Sequence, residues 1–460
     1  MPDPVPPTSL ASVKLDLLCL GARLVFTGGA TDERLDERLD ERLDGRLDGR
    51  PDGPPHPPSA PGRGILRTRA GLGSGLELVL GRDTYVNVPV VEPFARHSPY
   101  TLTVAPSGGV DVTRDGRPVR RGRVAARPAW YDAHTPGGRP LRRIATMQGT
   151  VLAVYAGRVC DFWVRSAERA TRENCRFCAV GLNLGADDDP AKTEAEILAT
   201  VHAARRDGRL AYVDFNCGHA DDGAHLDRLL PIVARVKRET GLLVGVQTPP
   251  HPDRTRWAAL RAAGVNRVSF CVELFDPGRF REVCPGKHRV YGQRAYLDAV
   301  ETCVALGREG PRGEPWVVNG ELVAGLEPAA STIAGIDWLV AHGAVPTVCV
   351  FRPLVGTDLA DVAPPSPEAM RPVFAALYER CVAAGLPVGA ARDVRPSLVL
   401  LAEECRDLVD DPVVRRRLRP AERRLALRRG FLRPALALRR LASAALRRPR
   451  GPRVPDGKSL

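Results

Sequence analysis

From about residue 150 the chain alternates short β-branched runs with longer amphipathic ones, and no other feature constrains its fold as much. Runs at 150–155, 210–215, 242–246, 265–273, 316–324 and 345–351 read as strands. Those near 190–206, 222–239, 253–263, 292–307, 329–342 and 367–384 read as helices. Six β-then-α units in series predict a parallel sheet with right-handed crossovers. Six units close most of a barrel, so the expected fold class is α/β, a partial (β/α)6 TIM-type barrel over 148–390. Reactive groups in such a barrel collect at the carboxyl ends of the strands.

The flanks read differently. Ser9 caps an expected helix over 9–20, with Leu10, Val13, Leu17 and Leu20 on one face. The segment 1–29 is therefore an N-terminal helical unit. Asp32-Glu33-Arg34-Leu35 then repeats with period four and decays into a Pro/Gly-rich run ending at Pro61. Leucines at that period drift around a 3.6-residue helix and form no stripe, so 30–63 reads as a solvated low-complexity linker. Alternation at 76–80, 85–90 and on either side of Ser107-Gly108-Gly109 makes 64–147 a small β-rich accessory module. Residues 391–460 form a C-terminal extension.

Composition narrows the class. At 44% hydrophobic the 460 residues can bury a full core, which excludes wholesale disorder. No run of eighteen apolar residues is present, so no bilayer-spanning helix is expected. The opening Met1 to Pro7 has no basic segment leading into an apolar one, and a cytoplasmic location is the expectation. Eleven cysteines, an odd number in a long chain, point to metal or catalysis rather than a disulfide scaffold. The basic balance is local. Residues 412–460 hold 16 basic side chains against Glu422 and Asp456, or +14, which exceeds the +13 of the whole chain. That tail reads as a solvated appendage, an acidic-surface contact or a nucleic-acid contact, with Pro420 and Pro434 expected to interrupt any single helix.

The sharpest chemical signal is Cys175-Arg176-Phe177-Cys178, with Cys160 upstream at the end of the first barrel strand. Two thiolates two residues apart can clasp one metal or cluster from a tight turn, and Cys160 can supply a third ligand. Three thiolates leave one iron of a four-iron cluster open. His219 can instead complete a zinc site with the three, and all three can also be ordinary reduced thiols. Cys284, Cys303, Cys349, Cys381 and Cys405 show no ligand spacing.

Cys175, Phe177 and Cys178 resemble the last part of the C-x₃-C-x-φ-C signature of radical S-adenosylmethionine (SAM) enzymes. The first cysteine of that signature falls at Thr171, which makes Cys160 the substitute. Lengthening the loop from three to fourteen residues costs about 1.4 kcal/mol of closure entropy. The resemblance covers about 140–360. It implies a [4Fe–4S] cluster on Cys160, Cys175 and Cys178, SAM as cosubstrate, a small-molecule substrate, and an electron donor such as a flavodoxin or ferredoxin. It also implies cofactor contacts from Phe177, from Cys217, Gly218 and His219 after the second strand, and from Glu273 after the fourth. Gly325 and Glu327 after the fifth strand, and Gly356 and Thr357 after the sixth, complete that set. Tyr131-Asp132, Arg143-Ile144-Ala145, Cys175 to Gly181, Pro285-Gly286-Lys287 and Gly356-Thr357, with Val86-Asn87-Val88-Pro89-Val90 and Ser98-Pro99-Tyr100 of the front module, further resemble a subfamily often encoded beside a nitrilase. The position of Thr171 keeps open a degenerate barrel that only binds or assembles. A zinc protein whose basic tail contacts nucleic acid is the third reading.

Overall fold

The computed structural model describes residues 9–27, 65–67, 74–169, 172–185, 188–309, 314–386 and 391–446. The expected linker 30–63, Thr171 and the tail beyond 446 lie outside them.

Ser9 caps α1 (Leu10–Leu20), its hydroxyl accepting from the Ser12 N–H. The helix was expected to show one apolar face, but every residue from Ala11 to Cys19 is buried. It is enclosed on several sides, and even Lys14 is fully buried, with Nζ 2.8 Å from the Glu404 carboxylate. The chain continues through β1 (Arg23–Phe26), β2 (Ile65–Arg67), β3 (Ser74–Leu80), β4 (Thr84–Val88), β5 (Tyr100–Val104), β6 (Gly109–Arg114) and β7 (Arg117–Val124). These pair as one sheet in the order β1-β5-β6-β7-β3-β2, with β4 on β3. β1 is the one parallel partner, alongside β5.

The second sheet holds β8 (Thr146–Gln148), β9 (Val151–Tyr155), β10 (Tyr212–Asn216), β11 (Leu243–Gln247), β12 (Arg267–Glu273), β13 (Val317–Ala324) and β14 (Val345–Val350). Each strand pairs with its neighbour in the chain, and β9 to β14 are all parallel. β8 adds an antiparallel edge that the sequence reading did not contain. Among the described residues β14 pairs only with β13, so the sheet is open there, as in the expected partial (β/α)6 barrel. The helices are α2 (Asp161–Arg169), α3 (Val180–Asn183), α4 (Glu194–Arg206), α5 (His225–Thr240), α6 (Thr255–Ala262), α7 (Pro277–Val283), α8 (Pro285–Val290), α9 (Gly292–Arg308), α10 (Ala329–Ala341), α11 (Pro367–Ala383) and α12 (Pro412–Leu446). Among them α4 carries a full capping box, Thr193 with Glu196.

Pro420 and Pro434 do not end α12, contrary to expectation. Both are exposed. A ring on the solvent side leaves the packed face undisturbed, and water can solvate the carbonyl it frees.

One layer of residues across the barrel strands is polar. Asn216, Gln247, Ser269 and Asn319 are in register across four strands. Asn216 Nδ2 donates to Gln247 Oε1 at 2.7 Å, and Ser269 Oγ donates to Glu321 Oε1 at 2.7 Å. Arg267 Nη2 lies 2.7 Å from the same Glu321 oxygen. The barrel therefore offers a hydrogen-bonding chamber beneath its carboxyl end.

Candidate functional site

Cys160 immediately precedes α2, and its carbonyl accepts the Trp163 N–H at 2.8 Å. The Asp161 N–H reaches over to the His219 carbonyl at 3.0 Å, tying the first and second strand ends together. Backbone N–H groups of Phe162, His219 and Trp163 favour the Cys160 thiolate. Burial opposes them and dominates, pushing the thiol up to about 11.

Cys175 and Cys178 sit in a latched loop. The Cys178 N–H donates to the Cys175 carbonyl at 3.0 Å. Ser166 Oγ accepts the N–H groups of Glu173 and Asn174 at 2.8 and 3.0 Å. Arg176 N–H donates to the Val283 carbonyl at 2.9 Å, and Gly286 N–H to the Glu173 carbonyl at 3.0 Å. Gly286 permits that approach, since a Cβ there would lie 2.3 Å from the Glu173 oxygen. Burial raises Cys178 to about 12. Cys175 is lowered, first by a hydrogen bond from Cys284 and then, against burial, by the Lys287 charge.

Cys160 and Cys178 pack in one apolar cluster with Tyr155, Val159, Trp163, Val180 and Leu184. Trp163 Nε1 is buried there with no hydrogen-bond partner among the described residues. A partly buried, apolar-walled thiol pocket with an unused donor suits a sulfide-bearing cluster. Among the described residues no three His, Cys, Asp or Glu side chains gather as ligands of a single ion. His219 is also committed. Its Nδ1 is 2.6 Å from the Tyr291 hydroxyl, its Nε2 is 2.9 Å from Asp221, and its ring stacks on Phe162 at 4.1 Å.

The remaining residues named from sequence fall into two groups. Near the thiols, Gly218 donates its N–H to the Tyr155 hydroxyl at 3.0 Å. Cys217 is buried, its thiol turned toward the Gln247 carbonyl and pushed up to about 11 by burial. Phe177 is half-buried against the main core. Glu273 occupies a left-handed conformation, φ 67°, just past a bulge that follows Cys271. Its Oε1 is 2.5 Å from Lys287 Nζ, which also donates to the Cys271 carbonyl at 3.0 Å. The other group serves the scaffold. Glu327 accepts the Phe275 and Asp276 N–H groups at 2.9 and 2.8 Å and the Thr332 hydroxyl at 3.0 Å. Gly325 abuts Pro365 and Gly356 abuts Leu182 of α3, both at positive φ. Thr357 donates its hydroxyl to the Leu354 carbonyl.

Sequence reasoning missed Cys284, Trp163, Tyr155 and Tyr291. Cys284 adjoins the Pro285-Gly286-Lys287 run that sequence reasoning did quote, but its contact with Cys175 spans more than a hundred residues and left no spacing signal.

Fold and site together define a class of protein: an open (β/α)6 barrel with a thiol cluster at the carboxyl end of its first parallel strand. No protein-family model matches the chain. Over 310 residues it is 25% identical to bacteriochlorophyllide c C-7(1)-hydroxylase of Chlorobaculum limnaeum, covering 62% of this chain and 74% of that protein. Among solved structures it is similar to methylornithine synthase, at 18% identity and a TM-score of 0.39, over 50% of this chain and 60% of that one. It is also similar to coproporphyrinogen III oxidase from Escherichia coli, a radical SAM enzyme, at 16% identity and a TM-score of 0.31, over 47% and 51%. The chain thus spans about half to three fifths of those two proteins. No helix among the described residues is long and apolar enough to cross a membrane.

Proposed function

We propose that this chain is a radical SAM enzyme whose [4Fe–4S] cluster is held by Cys160, Cys175 and Cys178. The carrying observation is the thiol set itself: Cys160 and Cys178 pack against one apolar cluster, and Cys175 lies in the same latched loop as Cys178. When bound, the cluster and SAM supply reductive cleavage of the sulfonium and so a 5′-deoxyadenosyl radical that removes a substrate hydrogen.

The chain's own residues do the placing. The Tyr155, Val180 and Leu184 side chains wall one side of Cys160 and Cys178 with apolar surface. The Gly218 segment offers backbone polar groups beside Cys160, and the Glu273–Lys287 pair presents charge at the end of β12 for the polar end of SAM. Asn216, Gln247, Asn319 and Glu321 line the chamber where a small polar substrate would lie. The hydroxylase relative supports a reaction that begins at a carbon–hydrogen bond; the electron donor, a flavodoxin or ferredoxin, comes from the resemblance alone. Membership of the nitrilase-associated subfamily belongs to the same reading and rests on the motifs quoted for it.

Anaerobic reconstitution with iron and sulfide tests the proposal. The wild-type chain should bind about four irons, and reduction with SAM should release 5′-deoxyadenosine. Cys160→Ala should lose the cluster. A four-iron protein that never cleaves SAM would refute the activity, and full iron in Cys160→Ala would refute the ligand set.

A further inference from the structure

The outer face of α12 is a field of guanidinium groups around the exposed side chains of Leu427 and Phe431, with Val413 on the same face near the helix start. The inner face is fastened to the body. Leu418 and Leu425 are buried, and Arg429 Nη1 lies 2.5 Å from the Glu403 carboxylate. Leu432 packs against the cluster that includes Val151, Tyr212 and Leu243. Those three residues begin β9, β10 and β11, so α12 crosses the amino end of the barrel, opposite the thiols. The outer face is therefore held outward by anchored structure.

At about 100° per residue, Leu427 and Phe431 fall within about 40° of each other and roughly opposite Leu418 and Leu425. They are 61% and 68% exposed. Arg416, Arg417, Arg423, Arg424 and Arg428 are all exposed around them. A solvated charge strip has no use for a Leu/Phe pair at its centre, one turn apart. Nucleic acid would use the arginines but gains little from one phenylalanine beside a leucine. A lipid interface uses both parts. The apolar pair enters the acyl boundary while the arginines extend along it to the phosphates.

We infer that the outward face of α12 docks on an anionic bilayer surface, with Leu427 and Phe431 inserted and the flanking arginines on the headgroups. The thiol end of the barrel then points away from the membrane. This inference stands apart from the cluster assignment.

Sedimentation of the full chain with vesicles tests it. The chain should pellet with phosphatidylcholine vesicles containing phosphatidylglycerol, less so as salt rises, and not with phosphatidylcholine alone. The Leu427→Ser/Phe431→Ser variant keeps every arginine and should partition about tenfold or more weakly. Its thermal midpoint should be unchanged, because both side chains are exposed. Emission from Phe431→Trp should shift to the blue on anionic vesicles. Equal pelleting of the serine variant and wild type would overturn the inference, as would absent binding at low salt. Displacement of the chain from the vesicles by duplex DNA, without any blue shift, would assign the face to nucleic acid instead.

Discussion

An ideal Cβ on Gly218 would stand 2.6 Å from the Cys160 Cβ and 2.6 Å from the Tyr155 hydroxyl oxygen. The end of β10 is thereby pressed against the thiol that follows β9. Its backbone N–H still donates to that hydroxyl. Gly218→Ala must move one of the three groups, and the Cys160 Cα at 3.1 Å leaves the helix start little room to retreat. We expect iron retention about tenfold weaker or worse, in line with losses of positioning groups elsewhere. Iron and sulfide analysis after reconstitution, alongside an unchanged far-ultraviolet spectrum, checks it. Wild-type iron content would show that this approach does not position Cys160.

Cys284 hydrogen-bonds to Cys175, and on the proposed ligand set it acts as a donor and not as a ligand. Cys175→Ala should lose the cluster, whereas Cys284→Ala should keep its iron. In the metal-free protein the Cys284 hydrogen bond is the leading cause of the lowered Cys175 pKa. Removing that donor destabilises the anion, so the midpoint of Cys175 alkylation against pH should move upward in Cys284→Ala. A midpoint that stays put, or iron lost from Cys284→Ala, would contradict this assignment.

The parts legible in the sequence were those set by local periodicity. The fourth expected strand, 265–273, is Arg267–Glu273, and the helix expected over 329–342 is Ala329–Ala341. Apolar alternation and a following amphipathic run are short-range signals, and tertiary packing agreed with them. The strand-end placement of Cys160, Gly218 and Glu273 followed from that frame. What escaped depends on distant partners. No spacing announces that Glu327 caps the backbone of Phe275 and Asp276, because a carboxylate after Gly reads the same whether it faces a cofactor or a peptide. The continuous α12 escaped for another reason. A proline rule counts the lost hydrogen bond but not the face the ring occupies, nor the anchoring by Leu425 and Arg429.

Glu327→Gln separates a scaffold carboxylate from a cofactor ligand. Its three bonds are all to protein donors, two of them backbone. Loss of the charge should cost about 1–2 kcal/mol of stability and leave the dissociation constant for SAM, read by equilibrium dialysis, within about twofold of wild type. A large SAM defect with unchanged stability would reverse the roles.

The Glu273–Lys287 pair should behave as one unit. Both side chains are nearly buried, at 11% and 12% exposed, so removing either charge strands the other. Glu273→Gln and Lys287→Met should each cost about 3 kcal/mol. The double variant should cost clearly less than their sum, since neither charge is then left alone. Urea unfolding of the four proteins gives the cycle. Additive losses would mean that the two side chains are solvated separately.

His225 should impose an acid limit on stability. It is 5% exposed at the start of α5, and neither ring nitrogen has a hydrogen-bond partner among the described residues. The charged or titratable groups around it are His251, His219 and Arg228, which disfavour a second positive charge, and Asp222, which favours it. Burial is the largest influence, and the imidazole is pushed down from 6.5 to about 4. Above pH 6.5 both folded and unfolded chains hold a neutral ring, so the group is silent. As pH falls toward about 4 only the unfolded chain takes the proton, and stability is lost across that window, by at most about 3 kcal/mol. His225→Leu keeps the bulk, removes two unpartnered polar atoms and cannot titrate. Its unfolding midpoint in urea should therefore exceed that of wild type by more at pH 5 than at pH 7.5. Parallel curves for the two proteins across that range would mean that the ring titrates alike in the folded and unfolded chains.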